Sequence, residues 1–280
     1  MVSLAGRRVL ITGAASGIGQ AMACRFAEAG AALILVDRDR HRLEQVARLI
    51  STQDSPTPAA GAATTLVPAP TAPGPSPAIT TYVLDLAATN EITRFWQSLP
   101  DEQLPDTLIN NAGIYPMRDF LQTDEALLRR TLSVNLEAVL WMCQKFVARR
   151  LNRGGVIINV SSIEAVLPFK SDMIPYTVSK AGVIALTRGL ARDYGRRGFR
   201  VNAILPGAIR TPGTKALVRL ALRKLKVDLW RTGYHFQNRL ALGRWGDPDE
   251  VARVALFLAS DLASYVQGAL IPVDGGFLSS

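Results

Sequence analysis

Apolar residues fall into two alternating kinds of run along this chain. Short, nearly unbroken stretches rich in Val, Ile and Leu occur at 8–11, 32–36, 81–84, 107–109, 156–160, 200–204 and 270–273. Runs this continuous suit strands covered on both faces, because a sheet with one solvated face alternates apolar and polar positions. Between them, apolar positions recur at helical spacing over 18–29, 38–50, 90–97, 124–150, 176–195 and 249–258. In the last of these Pro248 stands at the start, and Val251, Val254, Ala255 and Leu258 form one stripe. Strand and helix in regular alternation predict an α/β fold of the doubly wound Rossmann kind. Its expected form is a seven-stranded parallel sheet with helices on both faces.

One stretch breaks the alternation. Residues 51–79 hold seven prolines, many Ala and Thr, and a single charge, Asp54. Such a composition buries too little apolar surface to offset the entropy of ordering it. It reads as a flexible surface insertion between the second helix and the third strand, within one domain spanning 1–280. The chain has 280 residues, 48% of them hydrophobic and 20% charged, so a sizeable core is available and global disorder is excluded. Two cysteines, Cys24 and Cys143, and two histidines, His41 and His235, lie scattered. That argues against a disulfide scaffold and against a metal-dependent mechanism. No targeting segment and no run long enough to span a bilayer is visible, so a soluble, cytoplasmic protein without membrane association is expected.

The net charge of +9 is local: residues 191–240 hold twelve Lys and Arg against Asp193 and Asp228. With no nucleic-acid recognition motif nearby, a nucleic-acid partner is not expected. The patch is either a solvated face or a receptor for an anionic substrate or carrier.

Two motifs carry chemistry. Thr12-Gly13-Ala14-Ala15-Ser16-Gly17-Ile18-Gly19 follows an apolar strand and opens a helix. Glycines there permit a tight turn and let a pyrophosphate approach N–H groups at a positively polarised helix N-terminus. The second strand ends in Asp37, whose carboxylate can accept both ribose hydroxyls and would repel a 2′-phosphate, favouring NAD over NADP. Arg38 follows at once and softens that preference. The other motif is Tyr176-Thr177-Val178-Ser179-Lys180. Four residues on a helix bring phenol and ammonium onto one face, where the cation should lower the phenol pKa toward working pH and fit it for proton exchange with an alcohol or carbonyl oxygen. The motif follows a strand ending in Asn159-Val160-Ser161-Ser162, which offers a hydroxyl to the same oxygen.

With these motifs the chain resembles the short-chain dehydrogenase/reductase family, in its compact single-domain branch, from about Leu4 to Phe277 with 51–79 as a departure. The resemblance rests further on Asp85-Leu86, Asn110-Asn111-Ala112-Gly113, Asn135, Pro206-Gly207 and Asp274-Gly275-Gly276. It implies Tyr176 as general acid/base, with Lys180 lowering its pKa and binding the nicotinamide ribose. It implies Ser162 orienting the reacting oxygen and Asn135 holding a water in a proton relay. Cofactor contacts are implied for Gly13, Ser16, Gly17, Ile18, Gly19, Asp37, Asp85, Leu86, Asn111, Ala112 and Gly113, for Tyr176 and Lys180 themselves, and for Pro206, Gly207, Ile209 and Thr211. Ser161 competes with Ser162: the active serine of the family usually lies thirteen residues before the tyrosine, whereas Ser162 lies fourteen before and Ser161 fifteen. A one-residue insertion in the loop 163–175 accounts for this with Ser162 as the active one.

Residues 212–242 correspond to the segment that covers the active site in the family. Within them 214–226 reads as an amphipathic lid helix, with Leu217, Leu220, Ala221 and Leu225 at helical spacing, whose basic face, with Arg219, Arg223 and Lys226, is solvated or meets an anionic substrate. Cys24 and Cys143, and Trp96, Trp141 and Trp230, read as packing residues. Glu164 and Lys170 sit in the substrate-side loop. The expected activity is NAD-dependent hydride transfer between a secondary alcohol and its ketone, acting on a small molecule, in a protein that, like much of the family, forms a homotetramer. The alternatives are a 3-oxoacyl-carrier reductase using NADPH and a cofactor-binding protein without turnover.

Overall fold

The computed structural model describes residues 2–52, 78–214 and 239–280. The chain runs β1 (Arg8–Thr12), α1 (Gly17–Glu28), β2 (Ala32–Asp37), α2 (Arg40–Ser51), β3 (Ile79–Val83), α3 (Thr89–Ser98) and β4 (Thr107–Asn110). It continues through α4 (Glu125–Leu132), α5 (Ala138–Arg150), β5 (Gly155–Val160), α6 (Ile174–Tyr194), β6 (Phe199–Pro206), α7 (Pro248–Ala259) and β7 (Leu270–Val273). The strands form one sheet in the order β3-β2-β1-β4-β5-β6-β7, every pair parallel. This is the expected doubly wound Rossmann fold. The proposed insertion and lid lie largely outside the described residues, at 53–77 and 215–238.

Alternate strand residues point to opposite faces, and each face is buried. Val9 and Ile11 of β1, with Leu33 and Leu35 of β2, pack beneath α1, α2 and α7 with Met22, Phe26, Leu43 and Val251. Leu10, Ile34 and Val36 pack on the other side with Trp96, Met142 and Phe146 of α3 and α5 and Val183 of α6. Cys143 lies in that second layer, and burial pushes its thiol up to about 12, which leaves it protonated and inert. Among the described residues no helix is long and apolar enough to cross a membrane.

Beyond shifts of a residue or two at most element ends, three differences from the sequence expectation carry information. Strand β3 begins at Ile79, inside the stretch assigned to the insertion, because Leu33↔Ile79 is its first pair on β2 and pairing outweighs the neighbouring prolines. Helix α2 extends to Ser51, whose hydroxyl bonds back to the Ala47 carbonyl. The single helix expected over 124–150 is interrupted: α4 and α5 are joined by a π-helical turn, Ser133–Glu137, in which the Ala138 N–H reaches the Ser133 carbonyl. Such turns often mark functional positions in helices.

Candidate active site

The strand order reverses at β1, so the loops after β1 and β4 diverge and open a crevice at the C-terminal ends of the strands. A cleft of about 440 Å³ lies there. At one end the turn after β1 feeds α1. Ser16 occupies the N-cap position without making a side-chain capping bond, which leaves first-turn N–H groups facing the cleft. Gly17 has φ +56°, and a Cβ on Gly19 would stand 2.0 Å from the Gly13 carbonyl oxygen, so neither position tolerates a side chain. Thr12 ties this turn to the next. Its hydroxyl accepts from the N–H groups of Asn111 (3.0 Å) and Ala112 (3.1 Å), while the Asn111 amide donates to the Thr12 carbonyl (3.0 Å). The outcome is a concave cradle with N–H donors and glycines at its closest points, which fits a pyrophosphate.

Asp37, at the end of β2, borders the same cleft. One carboxylate oxygen accepts from Ala15 N and the other from Asp39 N, both at 3.0 Å, which fixes the group beside the cradle. Arg38 and Arg42 line the cleft next to it. Asp85 lies across from them, its carboxyl held below the usual range by bonds from Ala87 N and the Arg130 guanidinium (3.2 Å), which outweigh its partial desolvation.

At the other end β5 delivers two serines with different tasks. The Ser161 hydroxyl donates to the Lys180 carbonyl at 2.8 Å and so braces α6. The Ser162 hydroxyl accepts from Glu164 N (3.2 Å) and lies beside the Tyr176 phenol. The Lys180 ammonium is buried and donates to the Val160 carbonyl at 2.8 Å, lying 6.0 Å from the Tyr176 ring centre. Burial dominates both titrations. It pushes Tyr176 up to about 12 and Lys180 down to about 8. This differs from the expectation that Lys180 draws the phenol down: in the chain itself desolvation wins, the neighbouring Ser162 hydroxyl opposes it only in part, and Glu164 and Tyr115 add to the rise.

All the cofactor residues expected from the sequence line the cleft except Gly19, which packs behind the turn. Ser162, Tyr176 and Lys180 converge at its far end. Asn135 does not line it. Fully buried in the π-helical turn, its amide accepts from Ile114 N (2.8 Å) and donates to the Ile114 carbonyl (2.8 Å) and the Ser179 hydroxyl (3.1 Å). Those bonds tie the 112–115 loop to α6. Pro206, Gly207, Ile209 and Thr211 continue from β6 over the cleft. Sequence reasoning gave Thr12 no role of its own within its motif and passed over Tyr115. Tyr115 meets Tyr176 edge-on at 6.4 Å beside Thr211, and its place directly after Asn-Ala-Gly-Ile was the available signal. Among the described residues no His, Cys, Asp and Glu cluster suited to a metal occurs.

Comparison with known proteins agrees with this geometry. The family model described as short chain dehydrogenase matches residues 7–67, and that described as enoyl-(acyl carrier protein) reductase matches 58–278. The chain is 35% identical to the 2-keto-3-deoxy-L-fuconate dehydrogenase of Xanthomonas campestris, covering 98% of this chain and 81% of the relative. It is 34% identical to the 3-oxoacyl-(acyl-carrier-protein) reductase of Thermotoga maritima, covering 98% and 99%. Among solved structures, a protein of Agrobacterium tumefaciens described as a candidate 2-deoxy-D-gluconate 3-dehydrogenase, with NADP bound, superposes with a TM-score of 0.81. It shares 30% identity over 99% of this chain and 98% of that one.

Proposed function

The chain belongs to the short-chain dehydrogenase/reductase family, and on that premise we propose that it interconverts a secondary alcohol and its ketone with a nicotinamide dinucleotide. The observation that carries this reading is the meeting of the Ser162 hydroxyl, the Tyr176 phenol and the Lys180 ammonium at one end of a cleft whose other end is a glycine-rich cradle of N–H donors. The cradle, Asp37 and the 111–113 turn would hold the dinucleotide, which supplies the hydride acceptor or donor when bound. Ser162 donates a hydrogen bond to the substrate oxygen and orients it. Tyr176 takes the hydroxyl proton as the alcohol is oxidised and returns it as the ketone is reduced. Lys180 holds positive charge beside the developing phenolate and lies against the Gly113 turn, where an added Cβ would come within 3.4 Å of its Nζ.

Asp37 favours NAD in this reading, since its carboxylate stands where a 2′-phosphate would bring further negative charge. Arg38 and Arg42 are the counterweight that would admit NADP. Reduction of NAD followed at the reduced-nicotinamide absorbance band, against a panel of secondary alcohols, tests the proposal. Tyr176→Phe should abolish turnover while NAD binding persists. Turnover at the normal rate in that variant would remove Tyr176 from its role. A second reading, a 3-oxoacyl-carrier reductase, is favoured by the likeness to the Thermotoga reductase. It requires faster turnover of a carrier-bound ketoacyl thioester with NADPH than of any free alcohol. In either case we propose a single-domain, cytoplasmic homotetramer.

A further inference from the structure

Beyond Tyr176 the cleft carries two ionic side chains that the hydride-transfer reading leaves unused. Glu164 sits in the turn directly after β5 and is 2% exposed. One of its carboxylate oxygens accepts from Phe169 N (3.2 Å) and Lys170 N (3.3 Å), folding the loop back across the end of the cleft. The other oxygen has no hydrogen bond among the described residues. Because no buried side-chain oxygen or nitrogen there lacks a partner, that oxygen opens onto the cleft. Lys170 lines the same end, its ammonium 5.7 Å from the Phe169 ring centre. Glu164 is close enough to bias both Lys170 and Tyr176 electrostatically. The wall at this end includes Tyr115, Phe169 and Met173, two rings and a thioether.

An apolar alcohol gains nothing from such a site, since entering it would strip water from both charges without replacing the lost bonds. A ligand that brings a hydroxyl donor near the reacting carbon and an anion further along replaces both. Aromatic faces are suited to the C–H face of a carbohydrate chain. We propose that the substrate of this site is a polyhydroxylated carboxylate, an aldonic-type sugar acid, with a hydroxyl beside the reacting carbon donating to Glu164 and the carboxylate paired with Lys170. This rests on the oxidoreductase reading above and adds the substrate class to it. It also locates anion recognition in the 163–175 loop, outside the basic 191–240 segment.

The test uses the full-length protein with NAD and NADP, and a panel of pentonates and hexonates, each paired with its alditol, with 2-butanol as a plain secondary alcohol. Aldonate binding to the nucleotide-saturated protein is measured by calorimetry alongside turnover. The best aldonate should exceed its alditol in kcat/KM by about tenfold to a hundredfold, the range of one charge-assisted bond. Lys170→Met should bring that ratio close to one through KM, and Lys170→Arg should preserve it. Glu164→Gln should lower kcat/KM for aldonate and alditol alike relative to 2-butanol, with nucleotide binding as the control for folding. An alditol or 2-butanol used as well as every aldonate, or a ratio indifferent to Lys170→Met, overturns the proposal while the oxidoreductase reading stands. Absence of nucleotide reduction with every compound counts against the oxidoreductase reading. The calorimetric titration then decides the substrate class separately, with no aldonate binding being the overturning result.

Discussion

Burial acts in opposite directions on the two ionisable groups of the first turns of α6. Tyr176 rises to about 12 and Lys180 falls to about 8, so at neutral pH the phenol keeps its proton and the ammonium keeps its charge. The phenol is the form that donates in ketone reduction, whereas alcohol oxidation needs the phenolate. Oxidative kcat/KM should therefore rise with pH above 7 and flatten beyond about 8, where Lys180 loses the charge that favours the phenolate. Reduction should be nearly level below that point. A pH–rate profile in both directions checks this, and an oxidative rate independent of pH would identify a different base. Cofactor choice is a second matter for single residues. Asp37→Ser should shift the NAD-to-NADP ratio of kcat/KM toward NADP by about tenfold or more, and an unchanged ratio would show that Arg38 and Arg42 already set it. Spacing identified Tyr176 and Lys180 because four residues of helix leave little freedom. Spacing was less decisive for the two serines, which became distinct only when the Ser161 hydroxyl was found on the Lys180 carbonyl. The direction of the Tyr176 shift lay beyond sequence altogether, since it depends on how completely the surrounding turns exclude water.

At the level of elements, the long apolar runs translated directly into strands, because a parallel strand buried on both faces leaves an unmistakable composition. The π-helical turn left no such trace. It adds one residue to a helical circuit without altering the apolar stripe on either side, and its purpose lies in bonds to Ile114 and Ser179, which are remote from it in sequence. Charge was similarly illegible. Arg200 counted toward the basic segment, yet its guanidinium donates to the carbonyls of Leu258 (2.7 Å), Ser260 (3.0 Å) and Ala263 (3.1 Å), completing the C-terminal end of α7. Arg239 is likewise committed, stacked on Phe277 and bonded to the Ser280 carbonyl. Arg200→Leu leaves several helix-end carbonyls without a donor, and should cost about 2 kcal/mol of stability with little effect on nucleotide affinity. Denaturant unfolding with and without NAD measures both, and a loss of NAD affinity larger than the loss of stability would contradict a purely structural role.

For the whole molecule, two groups stand out among the apolar side chains that the described residues leave exposed. Leu121, Leu128, Leu140 and Val178 lie on or beside α4, α5 and α6, while Phe257, Leu262 and Tyr265, the last fully exposed, lie around the end of α7. Lone exposed hydrophobes need no explanation, but two separate groups on one chain do. If each group meets its own copy across a two-fold axis, two such interfaces on every chain close into a tetramer of dihedral symmetry, whereas one alone would stop at a dimer. The proposed homotetramer thus divides into two independently breakable halves. Val178→Glu should yield dimers held by the α7 face, and Tyr265→Glu dimers held by the α4–α6 face. Sedimentation of both variants and of their combination should show dimer, dimer and monomer. Nucleotide binding should survive the Tyr265 change, because the cradle after β1 draws all its parts from one chain, and Val178→Glu should disturb catalysis more, lying two residues from both Tyr176 and Lys180. A wild-type protein that sediments as a monomer would exclude the arrangement. A tetramer that persists in the doubly substituted chain would place the interfaces elsewhere.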